Sequence, residues 1–285
     1  MMATSALALF GYSLVASAIG GVLGMAGGIL IVPILTACAI DIRTAIGASI
    51  VSVIACSCAS APPFLRSRLT NVRLAIVLEL ATTLGALTGV LLAGMLPPSV
   101  LYLLFAAILL LSAQQMLARR NEPVRSELAA PDGLGTRLRL HASYPDPVTG
   151  VESAYIIERV PTAMFLMYGA GLVSALLGIG SGVLKIPALD TALRLPLKVS
   201  SATSNFMIGV TAAASAGAYF ARGDILPAIA GPVALGAVFG AVLGARVLLA
   251  ASTRHLRAMF VGILLLLAGQ MLLEAFGIHR FGAQV

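Results

Sequence analysis

Apolar stretches of about 20 residues recur along the whole of this chain, and they constrain its fold more than any other feature. A helix rises about 1.5 Å per residue and the hydrocarbon core of a bilayer is about 30 Å thick, so a stretch of this length can cross a membrane. Eight such segments cover residues 5–37, 42–65, 74–94, 98–118, 161–193, 199–220, 225–250 and 256–277. The sequence therefore predicts an all-α polytopic membrane protein.

The composition agrees with a bilayer as the solvent. Hydrophobic residues make up 59% of the 285 residues and charged residues only 10%, whereas charged residues are about a quarter of a soluble domain. We interpret the net charge of +7 as loop charge that orients the chain in the membrane, not as a nucleic-acid surface. The first 20 residues lack a basic start and a cleavage site, so we expect them to belong to the fold.

A polar segment at residues 119–160 separates the first four apolar segments from the last four. It is rich in proline and arginine, as solvent-facing connectors are. Short extended segments at Leu138–His141 and Ala154–Ile157 are expected to flank a turn that begins at Tyr144. We therefore divide the chain into a first transmembrane repeat at 1–118, a cytoplasmic connector at 119–160 and a second transmembrane repeat at 161–285.

The two halves share several short patterns in the same order. A glycine-rich run that ends in proline at residues 24–33 matches another at residues 178–187. The other matched positions are Arg43 with Lys198, Ser49 with Ser204, Gly85 and Gly89 with Gly236 and Gly240, and Gln115 with Gln270. Matches in this order indicate an internal repeat, which many transporters have.

Segments 5–37 and 161–193 are too long for one crossing, and each contains one of the glycine clusters. We predict that each forms a re-entrant or broken helical hairpin whose tip faces an internal cavity. If both hairpins return to their starting side, 14 Lys and Arg residues lie inside and 3 outside, whereas single crossings give 11 and 6. The positive-inside rule favours the hairpins. Each half then has three further spans. Because three is an odd number, the second half starts on the opposite side of the membrane from the first, and the halves form inverted-topology repeats.

The glycines at the two hairpin tips are candidate anion-binding residues. They let the backbone turn, and the helix that follows presents unpaired N–H groups and the positive end of its dipole. The alternative is that these glycines only allow helices to pack closely, as small residues do in membranes. The candidates are Gly24, Gly27 and Gly28 at the first tip and Gly178, Gly180, Ser181 and Gly182 at the second.

Polar side chains beside the tips complete the predicted site. Lys185 follows the second tip by one helical turn, and a cation at that depth is expected to be paired or to face water. We predict that it contacts the substrate; the alternative is that its ammonium reaches the interface. Ser49, Thr203, Ser204 and Asn205 lie early in the helices after the tips and offer hydroxyl and amide donors, although Ser and Thr also bond to their own helix.

Glu79 lies inside the third apolar segment and is a candidate for proton coupling. The alternatives are that it pairs with an arginine such as Arg73 or reaches the interface. Cys38, Cys56 and Cys58 are an odd number within apolar runs, which argues against a disulfide framework. Because the sequence offers no hydrolytic constellation or metal-ligand spacing, we expect no cofactor, no metal and no enzyme activity.

These patterns resemble the TauE/SafE sulfite exporter family of bacterial permeases over nearly the whole chain. The resemblance rests on residues 24–33, on residues 178–187 and on the run from Ser201 to Gly209. Ala26 and Ser181 stand where similar sequences often have glycine. The resemblance implies a multi-pass protein of the cytoplasmic (inner) membrane that transports sulfite, sulfoacetate or related organosulfonates.

The sequence therefore predicts a secondary transporter, an exporter in the simplest case, that carries a small anion by alternating access around a site between the two tips. Its partners are then the anion and the lipid bilayer, with a homodimer suggested by the many small residues. Three alternatives stay open. They are an anion channel with the same site, import of the anion coupled to protons, and a membrane-embedded enzyme or assembly factor.

Overall fold

Helices account for almost all of the chain that the structure describes. The computed structural model describes residues 5–22, 27–118, 134–145, 152–157, 159–178, 182–193, 195–250 and 253–275. Its first-half helices are α1 (Ala6–Val22), α2 (Gly28–Ala37), α3 (Ile42–Arg66), α4 (Val72–Ala93) and α5 (Pro98–Ala118). A short α6 (Leu134–Arg137) and strands β1 (Ala142–Pro145) and β2 (Glu152–Tyr155) lie in the connector. The second-half helices are α7 (Val160–Leu177), α8 (Gly182–Leu193), α9 (Leu197–Ala221), α10 (Pro227–Ala250) and α11 (Thr253–Ala275).

The helix surfaces are those of a membrane protein. Among the described residues, α3, α4, α7 and residues 227–247 of α10 are long and apolar enough to cross a bilayer, and shorter apolar helices accompany them. Leucines at positions 80, 84, 87 and 91 form an exposed apolar stripe along α4, while many of the serines and threonines lie in the protein interior. Apolar side chains outside and hydroxyls inside are expected when lipid surrounds the bundle. The protein is an all-α polytopic membrane protein.

Each over-long segment contains two helices that are separated at its glycine cluster. In the first, α1 has 17 residues and α2 has 10. In the second, α7 has 18 residues and α8 has 12. At about 1.5 Å per residue, α2 and α8 are roughly 15 and 18 Å long, so neither can cross a hydrocarbon core of about 30 Å. The first arms are longer than the second, and α7 alone is long enough to cross.

Matched glycines bring together helices from different halves. A Cβ on Gly85 of α4 would lie 2.0 Å from the carbonyl oxygen of Tyr168 on α7, and one on Gly236 of α10 would lie 2.3 Å from that of Phe10 on α1. Among the described helices, α4 with α7 and α1 with α10 accordingly have the most extensive contacts, and α3 packs against both α9 and α10. Small residues thus let backbones approach where no larger side chain fits.

The connector forms a small antiparallel hairpin at one end of the bundle. Ala142 pairs with Tyr155 and Pro145 with Glu152, so the predicted strand bounds of 138–141 and 154–157 were wrong by a few residues. Pro145 ends β1, a position in a two-stranded sheet where a missing N–H is tolerated. The Asn71 side-chain amide donates to the Leu140 carbonyl (2.9 Å) and the Tyr155 hydroxyl (3.1 Å), which ties the hairpin to the start of α4.

Candidate functional site

The described parts of both hairpin tips have backbone that glycine favours. Gly27 precedes α2 with φ of 64°, and Gly178 follows α7 with φ of 63°. A Cβ on Gly27 would lie 2.7 Å from the Cα and Oγ of Ser17, and one on Gly178 would lie 2.7 Å from Ile46 Cγ2. Both positions therefore need glycine for its left-handed conformation and for space. Gly24, Gly180 and Ser181 lie outside the described residues.

Ser49 joins the two tips. Its buried hydroxyl lies 2.7 Å from the carbonyl oxygen of Gly178 and 3.3 Å from that of Gly28, so those two oxygens are at most about 6 Å apart. Because Gly178 caps the C-terminus of α7, the hydroxyl satisfies a carbonyl at the negative end of that helix. The N-termini of α2 and α8, which begin at Gly28 and Gly182, then supply positive helix ends at the tips.

An ion pair between the two halves lies inside the bundle. Lys185, in the first turn of α8, is fully buried, and its Nζ lies 3.2 Å from Glu79 Oε2 on α4. The ammonium also donates to Thr211 Oγ1 on α9 at 2.7 Å, and the Thr211 hydroxyl donates to Glu79 Oε1. Thr82 places its hydroxyl 3.1 Å from Glu79 Oε2. Three helices thus hold one positive and one negative charge together.

The alternatives considered for Glu79, pairing with Arg73 or reaching the interface, were wrong, while its role in proton coupling stays a prediction. Arg73 lies six residues before Glu79 on the same helix, which turns it about 240° away, because neighbours on a helix face are three or four residues apart. Its guanidinium is instead 3.5 Å from the carbonyl oxygen of Arg139 in the connector. Lys185 likewise does not reach an interface: its ammonium is held in the interior. The structure therefore pairs Glu79 and Lys185, two residues for which the sequence suggested separate roles.

The polar residues on α9 point to three different partners. Thr203 Oγ1 accepts a hydrogen bond from the backbone N–H of Asn71 at 3.1 Å, near the connector and away from Ser49. The Asn205 side chain donates from Nδ2 to Ser60 Oγ at 2.8 Å, and the Asn205 backbone carbonyl accepts from the Ser57 hydroxyl; both serines are on α3. These bonds connect α9 to α4 and α3. They give Thr203 and Asn205 roles in helix packing, which the sequence did not reveal.

Several buried polar atoms have no hydrogen-bond partner among the described residues. They are Ser17 Oγ, Ser204 Oγ, Asn205 Oδ1 and Thr70 Oγ1. Ser17 lies against the first tip, and Ser204 is the position that matches Ser49. Burying a hydroxyl without a partner is costly. The unpaired hydroxyl of Ser17 is therefore suited to a polar ligand at the first tip. Ser204 adjoins Thr203, whose bond with Asn71 lies near the connector.

Sequence analysis missed three residues of this region. Thr82 and Thr211 contact Glu79, and Ser17 contacts the first tip. Helical spacing contained a signal for two of them, since Thr82 is three residues from Glu79, and Thr211 is seven residues beyond Ser204 on α9. Ser17 offered no comparable signal, because it is one small residue among many on α1.

A bundle with an apolar outer surface, two broken helical hairpins and a buried ion pair between its halves is that of a polytopic membrane protein. The chain belongs to the sulfite exporter TauE/SafE family, whose sequence model matches residues 9–271. A curated relative is the probable membrane transporter protein YunE of Bacillus subtilis (strain 168), which is 24% identical over 270 residues. The match covers 92% of this chain and 95% of that relative. No solved structure matches the chain.

Proposed function

We propose that this protein is a secondary transporter that carries small sulfur-containing anions, such as sulfite or an organosulfonate, across the cytoplasmic membrane. The anion binds between the two tips, where the N-termini of α2 and α8 and the ammonium of Lys185 provide positive charge. The two halves act as inverted repeats and expose the site to each side in turn. The family's description as a sulfite exporter supports this class of substrate.

The observation that carries the proposal is the position of Lys185. A fully buried ammonium in a membrane is costly unless it is paired or serves a ligand, so intramembrane cations are commonly functional. Here it stands in the first turn of α8, at the tip that Ser49 joins to the other hairpin. An oxyanion at the tips lies within the field of both helix N-termini and this cation.

The positions of the start of α3 and the end of α9 support the proposal of inverted repeats. Arg43 and Arg222, which begin α3 and end α9, line one cavity, so they lie at the same end of the bundle. Hairpins that return to their starting side require this, whereas single crossings place the two arginines on opposite sides. The helix pairs are also related between the halves: α1 of the first half packs against α10 of the second, and α7 of the second half packs against α4 of the first.

Export needs no coupling ion if the substrate is a monoanion. At an interior potential of about −100 mV, moving one negative charge outward is favourable by about 2.3 kcal/mol. The resting ion pair with Glu79 keeps the site neutral while it is empty. We propose that the protein has no enzyme activity and uses no cofactor. Its proposed partners are the transported anion and the lipid bilayer, and we also propose that it forms a homodimer.

Proton-coupled import is the second candidate, and the Glu79–Lys185 contact favours it. An arriving anion competes with the Glu79 carboxylate for one ammonium. Two negative groups beside one cation repel each other, and a proton that enters together with the anion would offset the extra negative charge. One proton would then travel with each monoanion, and transport would be electroneutral and driven by a pH gradient.

Flux into proteoliposomes tests both candidates. Radiolabelled sulfite and sulfoacetate are compared with sulfate and acetate, under an imposed membrane potential or an imposed pH gradient. We expect saturable flux of a sulfur anion that follows the potential, and its loss in the double variant Glu79→Gln/Lys185→Met, which leaves no unpaired buried charge. Arg66→Gln, an exposed change at the end of α3, is the control.

The outcomes separate the alternatives. Flux that follows the pH gradient, and that becomes potential-driven in Glu79→Gln, establishes the proton-coupled candidate. Single-channel currents contradict the carrier and establish the channel. Absence of sulfur-anion flux in a folded wild-type protein contradicts the substrate class, and unchanged flux in the double variant contradicts the site.

A further inference from the structure

A cavity outside the tips contains two arginines that the transport site does not use. It has a volume of about 220 Å³ and lies at the end of the bundle where α3 begins and α9 ends. The lining residues that matter here are Arg43, Ile46, Leu176, Tyr219, Arg222 and Asp224. The volume is large enough for a small oxyanion together with water molecules, since a water molecule occupies about 30 Å³ of the liquid.

The cavity ends close to the tips. Ile46 lies in its wall, and the same side chain would be 2.7 Å from a Cβ on Gly178. Ser49, whose hydroxyl binds the Gly178 carbonyl, is one turn further along α3 on the same face. The buried side chain of Ile46 therefore lies between the cavity and Ser49 along that face of α3.

Arg222 is held in place by several contacts. Its Nη1 donates to the Val90 carbonyl at the end of α4 at 2.8 Å, and its Nε lies 3.2 Å from Asp224 Oδ2. The guanidinium also lies 4.4 Å from the ring centroid of Tyr219, whose hydroxyl donates to the carbonyl of Ala175 on α7. A planar cation fixed in this way is preorganised for an oxyanion.

Arg43 gives the cavity an excess of positive charge. Asp224 offsets one of the two arginines, so the three charged lining residues sum to one positive charge. Arg43 Nη2 donates to the Leu96 carbonyl at 3.3 Å, which fixes it beside α5 without neutralising it. Under the proposed topology this is the outer end, which carries few cations, and two of them meet in one cavity.

We propose that this cavity is a second anion site, in which Arg43 and Arg222 hold an oxyanion on its way between the outer solution and the tips. The identity of the anion, a sulfonate or sulfite, rests on the proposed function, whereas the site itself rests on the cavity and its charges. Passage to the transport site requires movement of Ile46. Net positive charge in a cavity with low-dielectric walls concentrates anions and speeds their arrival.

The electrostatic potential of the cavity can be measured without transport. In a variant with Cys38, Cys56 and Cys58 changed to Ser, a cysteine replaces Ala93, which lines the cavity, or Met95, which is 81% exposed nearby. The two proteins react with a negatively and a positively charged methanethiosulfonate reagent. We expect the ratio of the two rates to favour the anionic reagent at position 93, and Arg43→Gln to lower that ratio about five-fold or more.

Added methanesulfonate tests occupancy of the cavity. It should slow modification at position 93 and leave position 95 unchanged, and Arg66→Gln should leave both results as in the parent. Equal rate ratios at positions 93 and 95, or no protection by methanesulfonate, would overturn the proposal. Lys185→Met distinguishes this site from the transport site, since it should abolish flux while the ratio at position 93 stays the same.

Discussion

At the scale of single residues, the interior is organised by polar contacts between the two halves. Ser49 of the first half binds the Gly178 carbonyl of the second, and Glu79 of the first half binds Lys185 and Thr211 of the second. Each contact replaces the water that a buried polar group loses in the membrane. The halves are thus held together where the proposed substrate binds.

The Glu79–Lys185 pair should show strong energetic coupling. Removing one partner leaves a buried charge unpaired, which costs about 3–5 kcal/mol, whereas replacing both costs less. We expect Glu79→Gln and Lys185→Met each to destabilise the protein more than the double variant does. Unfolding in mixed micelles measures the free energies of the four proteins.

The exposed pair Arg68–Glu152 is the control for this cycle, because its atoms are 3.8 Å apart and both side chains are mostly in solvent. Its coupling should be near zero. Additive effects of Glu79→Gln and Lys185→Met would contradict the interpretation of these residues as one unit.

Replacement by alanine should destabilise the protein more at Gly178 than at Gly223, a glycine with a similar backbone conformation. Both Gly178 and Gly223 have positive φ, but a Cβ meets Ile46 at Gly178 and nothing within 4 Å at Gly223. Gly223→Ala should cost about 1–2 kcal/mol from backbone strain alone. Gly178→Ala should cost more in the same unfolding measurement and should also reduce flux; equal costs would show that contact with Ile46 is unimportant.

At the scale of elements, the sequence predicted the helices and their breaks but not the helix neighbours. Residues 42–65, for example, were predicted as one apolar segment, and α3 spans Ile42–Arg66. Hydropathy and glycine clusters are local signals. The partner of Glu79 is 106 residues away in the chain, and it is set by how α4 packs beside α8 and α9. Likewise, the contact of Thr203 with Asn71 depends on how α9 packs beside the start of α4, which no local signal in the sequence predicts.

The packing of α4 against α7 should depend on the absence of a side chain at Gly85. A Cβ there would lie 2.0 Å from the Tyr168 carbonyl oxygen, whereas one at Gly169 of α7 meets nothing within 4 Å. Alanine favours helix over glycine by about 1 kcal/mol, so Gly169→Ala should be neutral or stabilising. Gly85→Ala should lose about 1–3 kcal/mol in unfolding experiments despite that gain; equal stability of the two variants would contradict the close approach.

At the scale of the whole molecule, the two ends of the bundle differ. The connector hairpin packs at the end where α4 begins, and Tyr155 is nearly buried there. Burial raises the pKa of the Tyr155 phenol above its ordinary value. Among the described residues, the opposite end has the cavity lined by Arg43 and Arg222. The described parts of the two ends therefore differ in both packing and charge.

The proposed topology places the cavity end outside the cell and the connector end inside. In a cysteine-free protein, single cysteines at positions 43 and 95 should react with a membrane-impermeant thiol reagent added to intact cells. Cysteines at positions 66 and 246 should react only after permeabilisation, because α3 and α10 both end on the connector side. Single crossings of segments 5–37 and 161–193 would instead place position 246 outside and position 66 inside. Labelling of 66 and 246 from opposite sides would therefore contradict the inverted repeats, whereas labelling of both from outside would reverse the protein's orientation and make the arginine cavity an inner site.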